Sequence, residues 1–567
     1  PDKPFILVEY CHAMGNGPGD LEDYWEVILA DEHACGGFVW EWCDHTVLAG
    51  RDETGREIHL YGGDHGETVH DANFCVDGLV ASDRTPHAGL LELKNVQRPA
   101  RVVDYDQERG LVTLRNDLDF TDLDQYVRLS YEVRCDGAVV ESGPLELPGP
   151  VPPHSTVTLS CAPAVPDAGR CHLLITSRLR RQVPLLEPGH ELGFDEIPLA
   201  NADPRHRAVA KTLGPVTEAL EAGADVAARP NGAVGCADPA GAVGAGSAVG
   251  AGSAADAADA GSAVGAGSAA DAADAVRDGC ETTLTGGDLT VVVDTRSGLP
   301  RSLRVGDREL LDRPMELNIW RAPTDNDRHI RRQWERAGYD RAGAQAYSTR
   351  IIRRRGAVAV HAEMSVSATA LQPALRVRAV WTVTESGELA VNLRARKSEG
   401  FPCLPRFGLR LFLPSSMHQV AYYGLGPGES YIDKHRSCHH DEFRTTVAEL
   451  HEGCIRPQES GSRADCDYVA LTDGALELTA VGLRPFSFNV SAYTQEELTE
   501  TAHDAELSPC GSTVLCLDGA MAGIGSASCG PELRPDYRVD EDALGLDLVL
   551  LPLISSPIPN SAHNEVN

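Results

Sequence analysis

From residue 280 onward apolar side chains recur at every second position, a period that belongs to antiparallel sheet with one face buried. Val358–Val366, Arg376–Val383 and Leu389–Ala395 all follow it, with turn residues between them. Residues 280–567 are therefore expected to form a large all-β sandwich. The same period appears earlier. In Tyr126–Arg134, Val127, Leu129, Tyr131 and Val133 alternate with Arg128, Ser130, Glu132 and Arg134, and shorter runs follow at Val157–Leu159 and Leu173–Ile175. These predict a small immunoglobulin-like sandwich over residues 97–190, followed by a connecting segment at 191–232.

Between the two β regions lies a tract that cannot fold by burial. GSAVGAGSAADAADA at 246–260 recurs letter for letter at 261–275, with a degenerate lead-in from Ala233. Alanine, glycine, serine and aspartate bury too little surface to offset chain entropy. Two copies are also too few for a solenoid, so 233–279 reads as a low-complexity linker.

The first 96 residues have a third character. The apolar run Phe5-Ile6-Leu7-Val8 stops at Glu9-Tyr10, as a buried parallel strand does at its carboxyl end. Leu21, Tyr24, Trp25, Ile28 and Leu29 then share one helical face, with Asp20, Glu22, Asp23 and Glu26 opposite. After Gly36-Gly37 comes a second strand, Phe38-Val39-Trp40, ending at Glu41. Strand, helix, strand is one parallel crossover unit. The fold class is thus multidomain, α/β followed by all-β.

Eighty-four acidic against 50 basic residues give a net charge of −34, which repels polyphosphates and anionic lipid and argues against nucleic acid as a partner. No apolar run is long enough to cross a bilayer, so no membrane partner is expected. The 16 cysteines show no CxxC pair and no zinc-ligand spacing with histidine. Core thiols in a reducing cytoplasm fit that usage.

Glu9 sits at the strand edge where barrel and doubly wound enzymes carry their active-site loops. The words around it are more specific. VEYCHAMGNGPGDLEDYW at 8–25, GGFVWEWCDH at 36–45, YGGD at 61–64 and NFCVDGLVASDRTPHAGLLELK at 73–94 resemble the family-two β-galactosidases through the end of their catalytic (β/α)₈ TIM barrel. LNIWRAPTDND at 317–327, YYGLGPGESY at 422–431, RPQESGSR at 456–463, FSFNVSAYT at 486–494 and LDGAMAGIGS at 517–526 are similar to the large carboxyl-terminal sandwich of the same enzymes. The resemblance implies a retaining hydrolase of terminal β-D-galactosides such as lactose, with Glu9 as nucleophile and His12 and Trp40 in the sugar pocket. It further implies an alkali cation, Na⁺ or K⁺, held by the Phe74 main-chain oxygen and the Asp77 side chain and meeting the galactosyl 6-hydroxyl. An Asp before Gly78 is also an ordinary turn residue. Asp64 either lines the cleft or buttresses its loop, and Asp44 and His45 sit in a loop that is either functional or solvated. The sandwich loop that stacks on the acceptor sugar in these enzymes maps here to Val514.

Retaining hydrolysis needs two carboxyl groups about 5 to 5.5 Å apart, and residues 1–96 supply no second one by motif. Glu41 and Glu67 are available without any sign of a proton-donating role. In the resembling family the acid/base and the Mg²⁺ ligands lie upstream of the nucleophile motif. A whole barrel takes about 250 residues, so 1–96 is expected to be its carboxyl-terminal part, poorly folded alone, and the chain inactive by itself. The missing upstream region, or a separate complementing chain, is the expected partner, and the complete enzyme is expected to be a homo-oligomer. The rival reading is a non-catalytic carbohydrate-binding protein built from the sandwiches.

Overall fold

The alternation read between residues 357 and 397 becomes an antiparallel meander in the computed structural model, which describes residues 3–213 and 273–554. Strands Ala357–Ser367, Leu375–Thr384 and Leu389–Lys397 pair in sequence, with Val360, Ala379, Trp381 and Leu393 all turned inward. They belong to a twelve-stranded sheet, and a five-stranded meander beginning at Asp274–Asp278 packs beside it around one continuous core. The start of that meander lies inside the stretch expected to be linker. Only Ala275 of the five residues is buried, so the strand carries almost no hydrophobic signal and is held by pairing with Glu281–Gly286. The repeat itself falls almost wholly outside the described residues.

The small sandwich has a four-stranded and a three-stranded sheet closing over Val112, Leu114, Leu129, Val133, Leu173 and Ile175. Its last strand, Glu191–Leu199, pairs with Cys171–Leu179, so the domain runs past residue 190 into the predicted connecting segment. The chain is mostly β, with few helices. No helix among the described residues is long and apolar enough to cross a membrane.

The amino-terminal segment holds β1 (Phe5–Tyr10), α1 (Leu21–Ala30) and β2 (Ala34–Val39), the two strands parallel. Leu21, Tyr24 and Trp25 of α1 pack on Leu7, Tyr10 and Val39, and the Trp25 indole donates to the Tyr10 hydroxyl at 3.0 Å. A third stretch follows the same direction through a parallel bridge between Cys43 and Val80. Beyond these contacts Phe5, Ile6, Val8, Phe38 and Trp42 are exposed.

The small sandwich is fastened to the large one by charge. Arg170 meets Asp465 at 2.5 Å and Asp467 at 2.8 Å, and His440 is bonded to Glu196 through Nδ1 at 2.7 Å and to Asp465 through Nε2 at 2.8 Å. Both ring nitrogens can donate only in the imidazolium form. Burial alone would lower the His440 pKa, but the hydrogen bonds to Asp465 and Glu196 outweigh it and hold the value above that of an ordinary histidine. A raised folded pKa contributes stability that is complete below the unfolded value of about 6.5 and is lost as pH rises through the folded one. His440→Gln should therefore lower the denaturation midpoint clearly near pH 6 and much less near pH 9. Equal losses at both pH values would show that the charge on His440 is not what joins the sandwiches.

Candidate active site

Glu9 is the penultimate residue of β1, and its side chain is 46% exposed. Cys11 then takes the left-handed conformation (φ 47°), unusual for a residue with a side chain, and the chain turns directly into His12. The imidazole is 2% exposed, with Nε2 3.9 Å from Glu9 Oε1 and 3.7 Å from Asp77 Oδ2. Its Nδ1 lies 3.4 Å from Ser528 Oγ, a residue 516 positions along the chain, and its Nε2 has no hydrogen-bond partner. Burial lowers the His12 pKa, against the pull of the Glu9 and Glu41 carboxylates, and so favours the neutral ring.

Asp77 closes the other side. Its carboxyl is buried, and its pKa is pushed up to about 7, first by burial and then by the neighbouring Glu41 and Asp44 carboxylates. Its Oδ1 has no partner. Main-chain bonds lock the strand ends together: Ala13 N–H donates to Trp40 O at 2.7 Å, and Glu41 N–H to Asp77 O at 2.8 Å. The Phe74 ring lies 5.7 Å from the His12 ring, and Trp40 is 43% exposed at the end of β2. The structure thus gathers Glu9, His12, Phe74 and Asp77 at one edge, with Trp40 joined to it by backbone. A buried, partnerless carboxylate oxygen suits a hard cation, so Asp77 fits the alkali-ion reading. Gly78 is better explained by contact than by a turn, because a Cβ there would sit 2.2 Å from Asp44 N.

The remaining candidates separate. Asp64 accepts the Tyr61 N–H at 2.7 Å and bonds His503 Nε2 at 2.8 Å, so it buttresses its loop against the large sandwich. Asp44 is buried and holds Gly78 N and His87 Nε2, each at 2.8 Å, whereas His45 is exposed, 3.3 Å from Glu41. Glu67 caps the Gly63 and His65 amides.

Val514 does not reach the site. It is buried with Phe412 and Cys516 because it lies inside the strand Ser512–Met521. The sandwich loop that does arrive carries Ser528 and Cys529, and Cys529 offers its sulfur within 4.8 Å of ligand atoms of both Glu9 and His12. The motif at 517–526 runs into that loop but stops short of Ser528 and Cys529.

Sequence reading also missed what holds the glycine-rich loop after His12. Asn16 is buried, donating from Nδ2 to Glu429 Oε2 at 3.1 Å and accepting from Lys434 Nζ at Oδ1 (2.9 Å) and at its main-chain oxygen (3.0 Å). Lys434 in turn pairs with Glu429 at 2.6 Å. Gly15 has φ +61°, and a Cβ on it would lie 2.3 Å from Gln458 Oε1, so both its conformation and its neighbour require glycine. Two residues beyond the loop's last glycine turn, Gly19 N and Asp20 N donate to Gly525 O and Asp433 O, each at 2.9 Å.

Three parts of the chain each match the model of a known domain. Residues 1–102 match the TIM-barrel domain of glycosyl hydrolases family 2, 112–200 match domain 4 of beta-galactosidase, and 285–550 match the beta-galactosidase small chain. The chain belongs to family two of the glycoside hydrolases. It is 35% identical over 539 residues to a beta-galactosidase of Actinobacillus pleuropneumoniae, covering 95% of this chain and 47% of that protein. It is 33% identical over 541 residues to one of Staphylococcus xylosus, covering 95% and 48%. The chain spans about half the length of the curated relatives it matches. Among solved structures it is similar to galactose 1-epimerase from Lactobacillus acidophilus NCFM, with a TM-score of 0.30 and 9% identity over 50% of this chain and 99% of that one.

Proposed function

We propose that this chain is the carboxyl-terminal part of a retaining β-galactosidase, in which Glu9 is the nucleophile and residues 1–96 contribute the last strands of a (β/α)₈ barrel. The observation that carries the reading is the placement of Glu9 at the end of β1 beside His12, which also faces Asp77, within the segment that matches the family-two TIM-barrel domain. Glu9 attacks the anomeric carbon as the glycosidic C–O bond breaks, giving a galactosyl ester that water later cleaves. His12 binds a sugar hydroxyl and Trp40 faces the apolar side of the ring. Phe74 O and Asp77 hold Na⁺ or K⁺, which when bound fixes the 6-hydroxyl.

The proton donor and the Mg²⁺ ligands come, in this reading, from the polypeptide that completes the barrel. The exposed Phe5, Ile6, Val8, Phe38 and Trp42 support a partner there, since a run of apolar side chains beside unpaired strand edges is a docking surface. That partner is either the upstream part of the same protein or a separate complementing chain, and the complete enzyme is a homo-oligomer. Every cysteine among the described residues is free, which supports a cytoplasmic setting.

The test is to trap the ester. The chain, combined with a polypeptide carrying the upstream barrel strands of a relative, is treated with dinitrophenyl 2-deoxy-2-fluoro-β-D-galactoside. Fluorine slows hydrolysis of the ester, and the good leaving group needs no proton donor. The peptide containing Glu9 should gain one fluorogalactosyl unit by mass spectrometry. Labelling of a different carboxylate would remove Glu9 from the role, and galactoside turnover without any label would argue against a retaining mechanism.

A further inference from the structure

We propose that Glu9, His12 and Cys529 form a binding site for a thiophilic divalent cation such as Zn²⁺, which on binding takes the nucleophile out of action.

Three donors of the kinds zinc prefers, a carboxylate oxygen, an imidazole nitrogen and a thiol sulfur, lie within 4.8 Å of one another here. His12 is the anchor. It is 2% exposed, its Nε2 has no hydrogen-bond partner, and that atom is 3.9 Å from Glu9 Oε1. Ser528 Oγ, 3.4 Å from Nδ1, can accept a proton held there, which leaves the Nε2 lone pair free, with Asp77 Oδ2 at 3.7 Å on one side and the other two donors within 4.8 Å. Glu9 and Cys529 are exposed, so ions enter freely and both side chains can draw in by the small distance coordination requires. A carboxylate and a thiolate give the site two negative charges, matched by one divalent ion, with water in the fourth position. The thiol proton leaves to solvent as the sulfur–metal bond forms. Softness separates this site from the oxygen pair of Phe74 and Asp77, which suits hard cations.

The consequence for catalysis rests on Glu9 being the nucleophile, whereas the site itself rests only on the three donors. Zn²⁺ on Glu9 occupies the lone pairs that would attack the anomeric carbon. Cys529, at a loop tip of the large sandwich, thereby becomes a control point for a residue on β1.

The test uses the chain as given and needs no turnover. Zn²⁺ affinity is measured by competition with a chromophoric chelator for the unmodified chain, Cys529→Ser and Glu9→Gln. Each substitution should weaken the tightest site at least about tenfold, and excess Mg²⁺ should not displace the zinc. With Co²⁺ as probe, a thiolate-to-cobalt charge-transfer band should appear and be absent from Cys529→Ser. Unchanged affinity in Cys529→Ser, or a cobalt spectrum without the thiolate band, overturns the proposal. In the chain complemented with its upstream barrel strands, zinc at saturating concentration without loss of galactosidase activity would leave the metal site standing and remove Glu9 from its catalytic role.

Discussion

Glu9→Gln should reduce galactoside turnover by at least about 10³-fold in the chain complemented with its upstream barrel strands, with little change in the denaturation midpoint. An amide has no negative charge to form the ester, so the loss falls on the step that breaks the glycosidic bond. The stability expectation follows from exposure. Glu9 is 46% exposed and stays 3.9 Å from His12 Nε2, beyond hydrogen-bond reach, so its removal breaks no hydrogen bond to that buried ring. KM for nitrophenyl β-D-galactoside should move far less than kcat, because the sugar-binding groups His12, Trp40 and Asp77 are untouched. A variant retaining more than about a tenth of the activity would mean that another carboxylate attacks, a result the fluorosugar label would then locate.

Lys434→Met carries the second large effect, and it falls on stability. Lys434 and Glu429 are both buried, and the ammonium donates to Glu429 Oε1, Asn16 Oδ1 and Asn16 O. Methionine keeps the length and apolar stem but leaves the Glu429 carboxylate without its counter-charge. Removing one partner of a buried pair costs about 3–5 kcal/mol. The Gly461 N–H and the Asn16 amide still reach Glu429, so the lower half of that range is expected. Denaturant unfolding should show the loss as a lower midpoint at unchanged slope. The double variant Lys434→Met with Glu429→Gln should recover part of it, since the charge left without a partner is then gone. Recovery of nothing would place the cost in the Asn16 contacts instead.

The β architecture was legible because burial on one face writes itself into the sequence at period two. Val127, Leu129 and Val133 are buried and Arg128 between them is exposed, as read. The parallel unit was legible for the same reason, through the apolar face of α1. Boundaries failed where that signal is weak: Asp274–Asp278 buries one side chain and is held by backbone pairing alone. That Glu9, His12 and Trp40 lie close to the same strand ends was readable because they fall in short contiguous motifs. Cys529 was not, since it comes near Glu9 only through where a distant loop ends up, and mapping the acceptor loop by resemblance picked Val514, which lies buried inside a strand. Spacing rules describe donors on one local element, so they are silent about a cluster such as Glu9, His12 and Cys529, whose members sit near opposite ends of the chain.

The Ser528–His12 contact has a meaning in time as well as in space. Residues 516 positions apart cannot meet until nearly the whole chain has left the ribosome. At about 5–20 residues per second that interval is roughly 25–100 s. For most of it the glycine-rich loop lacks Asp433, Lys434, Gln458 and Gly525, every one of them a later arrival than the loop. The loop that carries His12 is thus without its supports for about a minute, and slowing translation late in the message should raise the fraction lost to aggregation more than slowing it early.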